Sequence, residues 1–194
     1  MLIAIPVKPF GVAKARLSPV LNAAGRSRLG RAVAAHTVGT ALMTGERVAV
    51  VTGDDGVAAW ARRLGAEVIR ETAGGGLNGA ADAAVAGAGG GDWLILHADL
   101  PGVAPADIEA ARHLRQSADY VLAPSYDGGT SLIAGRGSFP FAYGAGSFHR
   151  HLRAAGGRAR ALVRTGLALD LDTPRDLDLA RSLFAGTGFP GIPV

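Results

Sequence analysis

The stretch Asp92-Trp93-Leu94-Ile95-Leu96-His97-Ala98-Asp99-Leu100-Pro101 carries the clearest structural signal in the chain. It is a short apolar run that ends in a polar segment followed by a proline. Such runs are typical of strands that are buried on both faces of a parallel sheet. Open α/β sheets bind their ligands beyond the carboxyl ends of their strands. We therefore predict a strand over Trp93–His97, with Asp99 placed at a ligand site just beyond it.

Similar strands alternate with helical segments along the whole chain. The predicted strands cover residues 2–7, 47–52, 67–70, 93–97, 120–123, 131–134, 161–164 and 167–169. The predicted helices cover 26–43, 57–64, a segment ending near 88, a segment starting at 105, 148–155, and 174 to about 184. This alternation predicts an α/β fold with a mostly parallel, Rossmann-like sheet and helices on both faces. We expect a single domain over residues 1–185 and a loose tail over 186–194, which is rich in Gly and Pro.

The composition of the 194-residue chain excludes several classes of protein. It contains no cysteine, which excludes a disulfide scaffold, a thiolate nucleophile and a Cys-ligated metal. The net charge of +4 suits a small anionic partner better than nucleic acid. No apolar run approaches the roughly 18 residues of a membrane span, and the N-terminus does not resemble a signal peptide. We expect a cytoplasmic protein without a membrane partner; a homodimer is left open.

The loop after the first predicted strand is strongly cationic. Lys8, Lys14 and Arg16 lie within nine positions, and the two lysines are the only ones in the chain. A lysine ammonium is a compact point charge that suits phosphate groups. The spacing differs from a Walker A loop, and a solvated loop without a ligand is the alternative. We predict that these three side chains bind a polyphosphate.

Three aspartates follow predicted strands. Asp99 follows the strand 93–97, and Asp170 and Asp172 follow the strand 167–169. Residues two apart in an extended segment point to the same side, so both carboxylates of the later pair can face one site. For Asp172 alone, capping of the last helix is an equally good interpretation. Carboxylates are the ligands that Mg²⁺ prefers, so we predict a magnesium site that supports attack on a nucleoside triphosphate and release of pyrophosphate.

Two glycine-rich segments are candidate ligand loops. Gly74–Gly79 matches G-x-G-x-x-G, which leaves a nicotinamide-dependent oxidoreductase open as an alternative, although the motif is in the third strand–helix turn and not the first. We favour a loop whose backbone and Asn78 amide contact a nucleotide base. The segment Gly144–Ser147 precedes a predicted helix, where amide groups and Ser147 can bind a phosphate or carboxylate. A non-catalytic nucleotide-binding module is a third hypothesis.

The histidines carry less information than the aspartates. His97 ends a predicted strand beside Asp99 and is interpreted as a neighbour of that residue. His113, His149 and His151 are interpreted as solvated helix residues, because no H-x-x-x-H zinc pair is present.

Taken in order, these segments resemble the guanylyltransferases of coenzyme F(420) biosynthesis, which act on 2-phospho-L-lactate or phosphoenolpyruvate. The resemblance covers roughly residues 3–184. Its carriers are Ile5–Pro9, Lys14–Leu17, Gly75–Asn78, Ala98–Pro101, Gly129-Thr130, Gly144–Ser147 and Leu169–Pro174. The chain departs from the family pattern at His97 and Ala145, both of which are proline in that pattern.

The resemblance implies a molybdopterin-guanylyltransferase-like nucleotidyltransferase fold, with GTP, a phosphorylated three-carbon acid and Mg²⁺ as ligands. Phosphoenolpyruvate is the favoured acid and 2-phospho-L-lactate the next. The implied residues are Asp99 and Lys14 for catalysis; Lys8, Lys14, Arg16, Gly76, Leu77 and Asn78 for GTP; Thr130, Gly144 and Ser147 for the acid; and Asp99, Asp170 and Asp172 for the metal.

Overall fold

The computed structural model describes residues 1–71 and 75–185, and its strands form one sheet. The seven strands in this part of the chain are β1 (Leu2–Pro6), β2 (Arg47–Thr52), β3 (Glu67–Arg70), β4 (Asp92–Leu96), β5 (Tyr120–Pro124), β6 (Thr130–Arg136) and β7 (Ala159–Ala161). Their order is β3-β2-β1-β4-β6-β5-β7. All neighbouring pairs are parallel except those of β6, which is antiparallel to β4 and β5. The predicted mostly parallel sheet is confirmed.

Helices connect the strands. Those of the described residues are α1 (Ala23–Leu42), α2 (Asp55–Arg63), α3 (Gly76–Gly87), α4 (Pro105–Arg115), α5 (Ser147–Ala155), α6 (Thr165–Ala168) and α7 (Pro174–Leu183). Side-chain caps fix several helix starts: Asn22 accepts a hydrogen bond from Gly25 N–H, and Asp54 from Val57 N–H. None of the helices in the described ranges has the length and apolar character needed to cross a bilayer.

The sheet is buried on both faces, as its apolar strands predict. Leu94 and Leu96 of β4 pack on the side covered by α1, α2 and α4, whereas Trp93 and Ile95 pack on the side covered by α3 and α5. All four side chains are fully buried. A smaller apolar cluster joins α7 to α1. This three-layer packing fixes the positions of the carboxyl ends of the central strands β1 and β4.

Three local predictions are wrong. Residues 167–169 do not form a strand: Thr165–Ala168 is the short helix α6, which places Leu167 in the core. The last strand is Ala159–Ala161 and not 161–164. The glycine segment is helical from Gly76 onward, so Leu77 and Asn78 lie in the first turn of α3 and not in a loop. Gly74 and the predicted tail 186–194 lie outside the described residues.

Gly166 in α6 is in close contact with the chain before α4. A Cβ atom at this position would lie 2.6 Å from the backbone oxygen of Gly102 and would overlap the carboxylate of Asp107. That carboxylate accepts hydrogen bonds from Ala104 N–H and Arg164 Nε, so it cannot move freely. The absence of a side chain at Gly166 therefore allows α6 to dock.

We expect Gly166→Ala to destabilise the protein by roughly 1–3 kcal/mol, as overpacking of a tight contact does. Denaturant unfolding measured by circular dichroism would show the loss. Gly157→Ala is the matched control, because a Cβ atom there meets nothing within 4 Å. Equal stability of the two variants would contradict the close packing of α6.

Candidate active site

An open cavity of about 550 Å³ lies beyond the carboxyl ends of β1 and β4. Its wall combines the cationic loop after β1, the start of α3, the end of β4 and the segment after α6. Among the residues that line it are Lys8, Lys14, Arg16, Gly76, Leu77, Asp99, Asp170 and Asp172. Residues predicted from distant parts of the sequence therefore meet at one cavity.

The ion pair between Lys14 and Asp99 forms the polar base of this cavity. Lys14 Nζ lies 2.9 Å from Asp99 Oδ2, and the lysine side chain is 8% exposed. Lys14 has a left-handed backbone, with φ 58°, which is uncommon for a residue with a side chain. Burial acts to raise the pKa of Asp99, but the charges of Lys14 and His97 and the Lys14 hydrogen bond outweigh it and lower that pKa. Asp99 is therefore an anion at neutral pH.

Asp170 adds a second carboxylate to the cavity. Burial and the nearby charges of Asp99 and Asp127 raise its pKa to about 6. The other oxygen of Asp99, Oδ1, is buried and has no hydrogen-bond partner in the described part of the chain. An unpaired buried carboxylate oxygen beside a second carboxylate is electrostatically unfavourable, and a cation between the two would relieve it.

Asp172 lines the same cavity but has a different partner. Its Oδ2 accepts a hydrogen bond from Arg16 Nη1 at 3.1 Å. It does not cap α7, because Thr173 is the N-cap residue and forms a capping box with Asp176. Within residues 1–71 and 75–185 no three His, Asp or Glu side chains are close enough to form a metal site. Asp99, Asp170 and Asp172 therefore do not form a preassembled three-carboxylate centre.

Asn78 and the predicted acid-binding residues lie next to the cavity rather than on its wall. Asn78 Oδ1 accepts a hydrogen bond from Tyr143 N–H at 2.9 Å, which ties the start of α3 to the segment before α5. Thr130 and Ser147 are buried, with their hydroxyl oxygens 3.1 Å apart. Gly144 has φ 121°, a conformation that favours glycine. Their predicted roles as ligand-binding residues stay predictions.

The antiparallel strand β6 brings Thr130 to the site. Leu96 of β4 pairs with Leu132 of β6, and the ladder continues with a hydrogen bond from His97 N–H to the Ser131 oxygen at 2.9 Å. Because β6 runs in the opposite direction, its first residue, Thr130, lies beside the carboxyl end of β4. The start of one strand and the end of its neighbour therefore share the same edge.

Sequence reasoning missed Asp127, misjudged His151 and gave His97 only the role of a neighbour of Asp99. Asp127 follows β5 as Asp99 follows β4, and its charge acts on both Asp170 and His97. His97 lines the cavity, burial lowers its pKa, and its Nε2 atom has no partner in the described ranges. The prediction that His151 is solvated is wrong, because it is fully buried. Its spacing of four residues from Ser147, on one face of α5, is the sequence signal that could have found it.

Comparison with solved structures shows the fold. A protein described as a nucleotide-diphospho-sugar transferase from Desulfovibrio desulfuricans G20 superimposes with a TM-score of 0.81 and 19% identity, over 98% of this chain and 91% of that one. A CMP:2-keto-3-deoxy-manno-octonic acid synthetase solved with CTP gives a TM-score of 0.59 and 18% identity, over 96% and 99%. The chain therefore shares the fold of nucleotidyltransferase-like proteins.

Sequence relatives are closer. The phosphoenolpyruvate guanylyltransferase of Rubrobacter xylanophilus is 38% identical, over 89% of this chain and 89% of that protein. The 3-phospho-D-glycerate guanylyltransferase of Phenylobacterium zucineum is 40% identical, over 87% and 84%. The 2-phospho-L-lactate guanylyltransferase of Methanothermobacter thermautotrophicus is 31% identical, over 95% and 84%.

The match to a family model is as extensive. Residues 1–188 match the model described as guanylyl transferase CofC like, which includes every predicted site residue. This match and the relatives give no support to the nicotinamide-dependent alternative. The chain belongs to the CofC-like family of guanylyl transferases.

Proposed function

We propose that the protein transfers GMP from GTP to the phosphate of a phosphorylated three-carbon acid in coenzyme F(420) biosynthesis, with phosphoenolpyruvate the favoured acceptor. A phosphate oxygen of the acid forms a bond to the α-phosphorus of GTP. The bond from that phosphorus to the oxygen bridging the α- and β-phosphates breaks, and pyrophosphate leaves. The observation that carries this proposal is that the Lys14–Asp99 ion pair and Asp170 line the same cavity as the cationic loop.

The cationic wall is suited to the phosphates of GTP. Lys8, Lys14 and Arg16 line the cavity and would neutralise charge on the triphosphate and on the leaving pyrophosphate. Gly76 and Leu77 lie across the cavity at the start of α3, where we place the guanine base. Asn78 would contact the base through its amide N–H₂, since its Oδ1 already accepts from Tyr143 N–H.

Asp99 and Asp170 fit a magnesium ion. Asp99 Oδ1 is buried and without a partner, and the two carboxylates raise one another's electrostatic energy. Oxygen ligands of this kind are the ones that Mg²⁺ prefers, and the ion, when bound, would offset charge on the triphosphate. Asp172 would hold Arg16 at the cavity wall through Oδ2, and its other carboxylate oxygen could still add a third metal ligand.

Thr130, Gly144 and Ser147 would bind the acceptor acid. Their hydroxyl and backbone groups lie at the start of β6 and at the start of α5, beside the end of β4. A helix start and neighbouring hydroxyl donors suit a phosphate or carboxylate. The relatives act, by their names, on three different phospho-acids. The choice of acid therefore depends on small differences in this part of the site.

Mass spectrometry of the products would test the proposal. The protein is incubated with GTP, Mg²⁺ and one of phosphoenolpyruvate, 2-phospho-L-lactate or 3-phospho-D-glycerate. We expect pyrophosphate and a guanylated acid diphosphate, formed fastest from phosphoenolpyruvate. GTP binding without any product would favour the non-catalytic module, and saturable quenching of NADH fluorescence would favour the nicotinamide alternative. A cytoplasmic location and a homodimer stay predictions.

A further inference from the structure

A chain of buried hydrogen bonds runs behind the predicted acid-binding residues. Ala142 N–H donates to His151 Nε2 at 2.9 Å. The other ring nitrogen, Nδ1, lies 3.0 Å from Thr130 Oγ1, and Thr130 Oγ1 lies 3.1 Å from Ser147 Oγ. Thr130, Ser147 and His151 are all buried, with at most 1% of each residue exposed. These bonds link a loop, a strand start and a helix.

The backbone donor fixes the direction of this chain. A backbone N–H can only donate, so His151 Nε2 must accept and carries no hydrogen. In the neutral ring the hydrogen is then on Nδ1, which donates to Thr130 Oγ1. Burial, followed by the charges of Arg150 and His97, lowers the pKa of His151 to about 4, in keeping with a neutral ring. Thr130 is therefore an acceptor from His151.

Counting hydrogens shows what the chain leaves over. Thr130 and Ser147 each have one hydroxyl hydrogen, and the single contact between them uses one of the two. Since His151 already supplies the hydrogen of its own bond to Thr130, one hydroxyl hydrogen has no acceptor among the hydrogen bonds of this cluster. A buried hydroxyl without an acceptor is costly. A ligand oxygen at this position would complete the network.

We propose that His151 is a positioning residue for the acceptor: through Thr130 it orients the Thr130–Ser147 hydroxyl pair so that one hydroxyl hydrogen points to a phosphate or carboxylate oxygen of the acid. The inference rests on the proposed function for the identity of the acid. His151 itself does not touch the acid. The tautomer of His151 makes Thr130 an acceptor from the ring. The imidazole therefore determines that the two neutral hydroxyls present a hydrogen-bond donor to the acid.

The tautomer is directly measurable without substrate. In two-dimensional ¹⁵N–¹H NMR of the wild-type protein at neutral pH, we expect His151 as a neutral ring with its hydrogen on Nδ1. The His151→Gln variant assigns the signals, because they disappear from its spectrum. A hydrogen on Nε2, or a charged ring, would overturn the inference.

Two substitutions separate the two bonds of the ring. In His151→Gln, the side-chain oxygen can still accept from Ala142 N–H, but no donor faces Thr130. In His151→Asn, the amide N–H₂ takes the place of Nδ1 and donates to Thr130, while the bond to Ala142 is lost. We expect His151→Gln to raise KM for the acid about tenfold with KM for GTP unchanged. We expect His151→Asn to have a KM for the acid much closer to that of the wild type.

If His151 only stabilised the structure, His151→Asn would raise the acid KM more than His151→Gln does. This is because His151→Gln keeps the hydrogen bond from Ala142 N–H that fixes the loop before α5. His151→Gln with the acid KM of the wild type, or His151→Asn no better than His151→Gln, would therefore overturn the inference. His149→Gln, at an exposed position on the same helix, is the matched control. Lack of turnover by the wild type with every acid would reject the proposed function. It would not change the tautomer of His151 measured by NMR, so the two failures can be told apart.

Discussion

Asp99→Asn lowers the rate of guanylyl transfer by about a hundred- to a thousandfold and leaves the protein folded, if the proposed site is correct. The asparagine oxygen can still accept the hydrogen bond that Lys14 Nζ donates to Asp99 at 2.9 Å. What is lost is the negative charge, which balances the buried ammonium of Lys14 and which we also assign to the metal through the unpaired Oδ1. The variant therefore separates the charge of Asp99 from its hydrogen bond.

The measurement is pyrophosphate release with GTP, phosphoenolpyruvate and saturating Mg²⁺, alongside circular dichroism of the same samples. Asp82→Asn, at an exposed position on α3, changes the net charge equally and should keep wild-type activity. Near-wild-type turnover of Asp99→Asn would show that this carboxylate neither binds the metal nor positions the nucleotide.

Asp170→Asn has two opposite effects: transfer falls by about a hundredfold or more, while the metal-free protein becomes more stable. Burial, Asp99 and Asp127 raise the pKa of Asp170 from 3.8 to about 6. A raised carboxyl pKa means that the folded protein binds this proton more tightly than the unfolded chain does. The ionised form is then unfavourable to folding at neutral pH, by roughly 1–3 kcal/mol.

Thermal unfolding in a chelating buffer would show the gain in stability. We expect the difference between Asp170→Asn and the wild type to be largest above pH 6, to shrink as pH falls through that value, and to vanish below about pH 3.8. Saturating Mg²⁺ should reverse the order by stabilising only the wild type. A variant less stable than the wild type at every pH would contradict the repulsion between Asp170 and its neighbours.

The fold was largely predictable because its strands are apolar runs of ordinary length. The apolar run Trp93–Leu96 fits few structures other than a buried strand. The elements that were predicted wrongly are all short. Residues 165–169 contain two large apolar residues, Leu167 and Leu169, which suit a strand or a single helical turn equally. The close contact of Gly166 with Gly102 and Asp107 decides between them, and no local pattern contains that contact.

The site was predictable in its members but not in their pairing. Predicted strand ends identified Asp99, Asp170 and the cationic loop, and all of them line one cavity, although the segment before Asp170 is the helix α6 and not a strand. Two contacts depend on the tertiary positions of α5, α6 and the start of β6. They are the ion pair of Asp172 with Arg16 and the buried contact of His151 with Thr130. Sequence separation hides such contacts, because two charged residues far apart can pair in many ways.

The contacts across the cavity span most of the polypeptide. Lys14 pairs with a residue 85 positions further on, and Arg16 with one 156 positions further on. Closing such long loops is entropically costly and is delayed until much of the sheet exists. During synthesis on the ribosome, Lys14 and Arg16 emerge well before Asp99 and Asp172, the acidic residues with which they pair in the folded protein. The nucleotide that we propose for this cavity can therefore stabilise the folded state only after the segment that follows α6, which carries Asp170 and Asp172, has emerged.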